Sequence, residues 1–295
     1  MSERSERTMS AVRRPFRRFR TARWTVLGSL MLASTAPTHT VSLNSARADV
    51  APMGAPGEGK VHPGLVLDTA GSDCTSNFVF TDADRHLYLG QAAHCSSQGQ
   101  DIDFNGCKER TLPLGTQVRV VGSEIAGSLV YNSWRTMQAR HEKNAAVCAD
   151  NDFALVRLPD SLRSQVSPDV PYFGGPHGIN TDGVGPGGAV DAYGNSPLRG
   201  GIGMLAPKRG IVVATVDSGW SYLVYFATPG IPGDSGSAVL DAQGHALGVM
   251  SSLVTTPTPG ANGVADLGRM VSYAQERSGI RGLRLVDGAQ PPYGG

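Results

Sequence analysis

From residue 77 to residue 250 the chain is cut into strand-like runs of four to six residues, none long enough to make a core helix. The runs are 77–80, 86–89, 117–121, 128–131 and 153–158, then 189–193, 211–216, 222–226, 237–240 and 246–250. Many are β-branched or aromatic, and Gly, Pro, Asp or Asn bounds them. The 38 glycines and 19 prolines supply that punctuation. A Pro- and Gly-rich crossing at 168–188 separates the two sets of runs. The pattern predicts an all-β chain built as two packed barrels. One helix is predicted near the end, at 264–278. Val264, Leu267, Met270, Val271 and Ala274 recur there at helical spacing, and Gly279 is placed to stop it. No internal repeat is visible. The expected divisions are an export signal at 1–48, an N-terminal arm at 49–60, a first barrel at 61–167, the crossing, a second barrel at 189–263, the helix, and a tail at 279–295.

The net charge of +1 hides an asymmetry. Nine of the 26 basic and two of the 25 acidic residues lie in 1–48, so the remainder carries about −6. A body of that sign offers no basic face to nucleic acid. The basic cluster from Arg13 to Arg23, the apolar stretch from Trp24 to Ala36 and the Ala46-Arg47-Ala48 site read as an export signal. The apolar stretch is too short to span a bilayer. An exported, extracellular monomer is expected.

Four cysteines follow the leader: Cys74, Cys95, Cys107 and Cys148. An even count after an export signal suggests two disulfides, with three connectivities open. Cys74–Cys95 and Cys107–Cys148 are favoured because they close modest successive loops. Each would stabilise by roughly 3 kcal/mol. Zinc is the rival reading. It is disfavoured because no pair has C-x-x-C spacing and His94 adjoins Cys95.

Three motifs follow in order: Ala92-Ala93-His94-Cys95, Asn151-Asp152-Phe153-Ala154-Leu155, and Gly233-Asp234-Ser235-Gly236-Ser237. Taken singly, each has a bland explanation as a packed histidine, a turn aspartate or a tight turn. Taken together, from about Val61 to Ser278, they make the chain resemble the chymotrypsin family of serine endopeptidases. The resemblance implies two six-stranded antiparallel barrels and a C-terminal helix. It implies Ser235 as nucleophile, His94 as base and then acid, and Asp152 as the carboxylate that orients His94. A serine hydroxyl needs such a base near neutral pH, and imidazole is suited to the task. By the same resemblance, the N–H groups of Gly233 and Ser235 form the oxyanion hole, Asp234 anchors the turn through a buried ion pair, and Ser251 supports Asp152. No metal or cofactor is needed, and the partner is a protein or peptide substrate.

Animal members of that family free a new N-terminus to pair with the aspartate before the serine. Lys60-Val61-His62-Pro63-Gly64 only faintly echoes that sequence, so an internal cation, an Arg, is expected to pair with Asp234. The substrate pocket is expected from 227–232 and 248–253, with Thr228, Pro229, Met250, Ser252 and Leu253 on its walls. Residues 227–232 carry no acidic side chain and 248–253 no His, which points to small or medium apolar side chains at the cleaved position. The order His, Asp, Ser excludes the α/β-hydrolase arrangement. The alternative is a silent or latent protease-fold protein of the cell envelope that binds a partner through the same cleft.

Overall fold

The computed structural model describes residues 60–98, 105–255 and 258–290. The expected export signal, the arm up to Gly59 and the last five residues of the tail lie outside the described residues. In chain order the elements are β1 (Val66–Thr69), β2 (Ser72–Thr75), β3 (Val79–Thr81), β4 (Leu87–Gln91), β5 (Gln117–Val120), β6 (Ala126–Asn132), α1 (Ser133–Ala139), α2 (Ala145–Asp150) and β7 (Ala154–Leu158). They continue with β8 (Ala189–Tyr193), β9 (Pro207–Val216), β10 (Ser221–Phe226), β11 (Ala238–Asp241), β12 (Ala246–Leu253), β13 (Asn262–Asp266), α3 (Leu267–Arg277) and β14 (Arg284–Leu285).

The second half closes as a six-stranded barrel in the order β10-β13-β12-β11-β8-β9. The first half is an antiparallel sheet of eight strands rather than six, in the order β14-β3-β4-β7-β6-β5-β1-β2. Two additions make up the difference. The polar β2 folds back on β1, pairing Leu67 with Cys74, and the C-terminal β14 adds to the edge at β3.

Side chains of successive strand residues point to opposite faces, and here both faces are apolar. Val79, Leu87, Leu89, Ala154, Val156 and Leu158 fill the first core. Their neighbours Phe78, Phe80, Tyr88, Phe153 and Leu155 face the other way. There they meet Leu240, Val249, Leu267 and Met270 from the second half. Phe80 packs edge-on against Phe153 at 5.3 Å in this seam. The second barrel has its own core around Val190, Val212, Tyr222, Val224, Phe226, Leu247 and Val264. The near-continuous apolar strands of the first half are therefore seam strands covered on both sides.

The helix begins at Leu267, three residues later than its spacing suggested. Val264 belongs to β13 and points into the barrel core. The Asp266 carboxylate caps the helix by accepting from Arg269 N–H. At the other end Ser278 is the cap and Gly279 follows with φ +78°.

A short repeat, invisible in the sequence reading, links the two halves. The β3–β4 hairpin turns through Asp82-Ala83-Asp84-Arg85-His86 and the β11–β12 hairpin through Asp241-Ala242-Gln243-Gly244-His245. In each, the carboxylate accepts the histidine N–H (2.8 and 2.9 Å) and meets its Nδ1 (2.9 and 3.0 Å). The fourth residue is left-handed in both: Arg85 at φ +63° and Gly244 at φ +81°. Burial pushes both carboxyls up. Tyr88 Oη and His86 N–H outweigh it at Asp82, and Asn180 Nδ2 and His245 N–H at Asp241, so both titrate below their ordinary range. A depressed folded pKa contributes stability that is complete above about pH 4 and is lost as pH falls further. An Asp82→Asn, Asp241→Asn double variant should therefore melt at a temperature less dependent on pH between about pH 4 and pH 2 than the parent. An unchanged slope would refute the assignment.

Candidate active site

His94 sits on a single 3₁₀ turn, Ala93–Ser96, that follows β4. Asn132 steadies the turn by donating to Ala93 O (3.0 Å) and Ser96 Oγ (2.8 Å). The Cys74–Cys95 disulfide ties it to β2, and Cys107–Cys148 holds α2, which leads into Asp152. Since Cys74 and Cys95 are joined to each other, their grouping with His94 offers no thiolate to a metal.

Asp152 is buried at the start of β7 with 1 % of its surface exposed. Its Oδ1 accepts His94 N–H at 2.9 Å, and its Oδ2 lies 2.6 Å from His94 Nδ1. Ser251 on β12 reaches across the seam and donates to the same Oδ2 at 2.6 Å. Burial pushes the Asp152 carboxyl up. The His94 charge and the hydrogen bonds from His94 and Ser251 overcome that push and hold it below the usual carboxylate range. An ionised carboxylate only accepts, so His94 Nδ1 carries the proton of that bond and Nε2 is left as the basic nitrogen.

Ser235 enters the seam through its backbone. Its carbonyl accepts Thr75 N–H at 2.8 Å, and Gly236 N–H donates to Met250 O at 2.7 Å. A Cβ on Gly236 would stand 2.3 Å from Thr75 O and 3.2 Å from Ala92 N, two residues before His94. Only glycine, here at φ +90°, lets the serine turn come this close. The structure thus joins His94, Asp152 and Ser251 by hydrogen bonds and packs the Ser235 turn against Thr75 and Ala92. Among the described residues, no hydrogen bond runs from the Ser235 hydroxyl.

Asp234 is fully buried. Its Oδ2 meets Arg199 Nη2 at 2.8 Å and Lys208 Nζ at 3.3 Å. Its Oδ1 accepts Ser196 N–H at 3.0 Å, and Oδ2 also accepts Ile231 N–H at 3.1 Å. The expected internal Arg is Arg199. Lys208, with no exposed side-chain surface, is a second cation that the sequence reading missed. Burial pushes its ammonium down, Asp234 raises it, and Arg199 lowers it further; the balance is a lowered pKa. Val61 plays no part here, because its N–H donates to Gln165 O at 3.0 Å.

Of the five expected pocket residues, Met250 is buried, Thr228 and Ser252 are half-buried, and Pro229 and Leu253 are exposed. Asn262 of β13, also unforeseen, fastens their two segments together. Its Oδ1 accepts Gly230 N–H at 2.8 Å, and its Nδ2 donates to Gly230 O at 3.3 Å and Ser252 O at 3.2 Å. A Cβ on Gly230 would lie 2.3 Å from Met250 Sδ and 2.8 Å from Asn262 Nδ2, so a larger residue there would have to displace these side chains.

No protein-family model matches the sequence, and no curated protein is significantly similar to it. Among solved structures, protease A of Thermobifida fusca superposes with a TM-score of 0.50 at 17 % identity, over 77 % of this chain and 99 % of that one. The chain has a chymotrypsin-like fold. A chymotrypsin from Cellulomonas bogoriensis (18 % identity, TM-score 0.46, 77 % and 98 % covered) and a Nocardiopsis protease (17 %, 0.45, 76 % and 98 %) are also similar. In this chymotrypsin-like frame the His94 turn and Asp152 come from the first sheet, and Ser235 and Ser251 from the closed barrel.

Proposed function

We propose that this chain is an exported serine endopeptidase. The observation that carries the reading is the grip of buried, ionised Asp152 on His94 through both carboxylate oxygens, reinforced by Ser251. That grip fixes the tautomer that a general base needs. Ser235 Oγ bonds to the scissile carbonyl carbon while His94 Nε2 takes its proton. The N–H groups of Gly233 and Ser235 receive the developing oxyanion. As the intermediate collapses, the C–N bond breaks and His94 returns the proton to the departing amine. Water, activated by His94 in the same way, then releases the acyl group from Ser235.

The substrate is a protein or peptide with a small apolar side chain at the cleaved position. Met250 and Asn262 occupy the space between the two wall segments, and neither segment carries an acidic residue to favour Lys or Arg or a basic one to favour Glu. Two disulfides and the basic-then-apolar leader are consistent with export.

A fluorophosphonate probe is the direct test. Folded parent protein should be labelled at Ser235, and Ser235→Ala should stay unlabelled. A folded parent that takes no label would overturn the peptidase reading and favour a silent protein that binds partners through the cleft.

A further inference from the structure

Ser196 and Thr75 lie outside the three motifs, yet both are buried against the turn that carries Ser235. Ser196 has 2 % of its surface exposed and Thr75 none. The Ser196 hydroxyl accepts Leu198 N–H at 3.2 Å and donates to Pro232 O at 2.6 Å. The Thr75 hydroxyl accepts Asn195 N–H at 3.0 Å and donates to Gly233 O at 2.7 Å. A hydroxyl has one hydrogen to give. With a backbone N–H already on each oxygen, that hydrogen goes to the carbonyl of the serine turn. Two successive peptide groups, Pro232–Gly233 and Gly233–Asp234, are thereby held at their oxygens.

We infer that the Ser196 and Thr75 hydroxyls are positioning residues that set the direction of the Gly233 N–H toward the oxyanion. This rests on the peptidase reading above. A trans peptide is planar, and its N–H points opposite its C=O. Drawing Pro232 O onto Ser196 therefore turns the Gly233 N–H away from Ser196. Rotation of that one peptide would put a carbonyl where the oxyanion donor belongs. Gly233, at φ +93°, has the freedom to rotate and no Cβ to prevent it. A Cβ there would stand 2.9 Å from Ser196 Oγ, so a bulkier residue cannot take over the restraint. Thr75 fixes the next peptide, and its own N–H holds Ser235 O, so the carbonyls of Pro232, Gly233 and Ser235 all have assigned partners.

The clamp is anchored from below. Ser196 N–H donates to Asp234 Oδ1, and Asp234 is held by Arg199 and Lys208. The buried ion pair thus reaches the oxyanion hole through one backbone amide and one hydroxyl. Neither Ser196 nor Thr75 touches the substrate in this scheme, and their effect belongs in kcat.

Ser196→Ala, Thr75→Val and Thr75→Ser, each verified as folded by thermal melting, are compared with the parent on one peptide substrate and on a peptide boronic acid that mimics the tetrahedral intermediate. Ser196→Ala and Thr75→Val should each lower kcat at least tenfold with KM within about twofold, and should weaken boronate binding in the same proportion. Thr75→Ser keeps the hydroxyl and should recover most of the rate. A folded Ser196→Ala or Thr75→Val enzyme with parental kcat would overturn the inference, as would a Thr75→Ser enzyme as slow as Thr75→Val. An inactive, unlabelled parent would instead sink the peptidase reading itself, so the two failures are distinguishable.

Discussion

Asp152→Asn is expected to slow peptide hydrolysis about 10⁴-fold with little change in KM, the scale seen when the orienting carboxylate of such a triad becomes an amide. The carboxylate can only accept, and it accepts from both the backbone N–H and Nδ1 of His94. An amide in the same place presents an NH₂ group to one of those donors. To keep a hydrogen bond, the ring must move its proton to Nε2, the nitrogen that should take the proton from Ser235. Ser251 adds a second conflict, since its hydroxyl donates to the same Oδ2. The loss should therefore appear in kcat, with the overall fold retained. Steady-state kinetics on the purified variant decide it: activity within tenfold of the parent would mean that His94 is oriented by something else.

Asp234→Ala should produce the largest loss of stability, about 3–5 kcal/mol, the scale for breaking a buried ion pair from one side. In a domain of this size that corresponds to a melting temperature lower by about 10 °C. Two cations share this one carboxylate, and Lys208 is completely enclosed. Removing Asp234 leaves both uncompensated and frees the N–H groups of Ser196 and Ile231. Part of the loss should return in an Asp234→Ala, Lys208→Met double variant, because the enclosed ammonium is then gone as well. Calorimetry of the parent, both single variants and the double variant measures the coupling. Additive losses would mean that Lys208 does not depend on Asp234.

The sequence displayed the candidate site more fully than the scaffold, for physical reasons. His94, Asp152 and Ser235 each sit in a motif whose neighbours are themselves constrained: Cys95 by its disulfide, Phe153 by the seam, and Gly236 by the approach to Ala92. Ser196, Thr75, Lys208 and Asn262 act through hydrogen bonds or charges to groups distant in the sequence, which leave no local pattern. Lys208 next to Arg209 reads as an exposed charged pair, and its one buried counter-charge among the described residues, Asp234, lies twenty-six positions away. Among the elements, most β-branched and aromatic runs were legible because their composition and the turn residues that bound them are local signals. β2 and β13 were not, since Ser-Asp-Cys-Thr and Asn-Gly-Val-Ala-Asp have turn-like composition and owe their pairing to β1 and to β10 and β12. The early helix start at Val264 came from one residue whose helical spacing fitted and whose place in the barrel core overrode it.

β14 has a consequence for how the molecule comes into being. Arg284 and Leu285 pair with Thr81 and Phe80, and Arg284 also donates to Asp82 O, 202 positions upstream. A chain made from its N-terminus therefore carries an unfilled edge at β3 until Arg284 and Leu285 have been joined. The first sheet is thus completed only by residues that follow the second barrel.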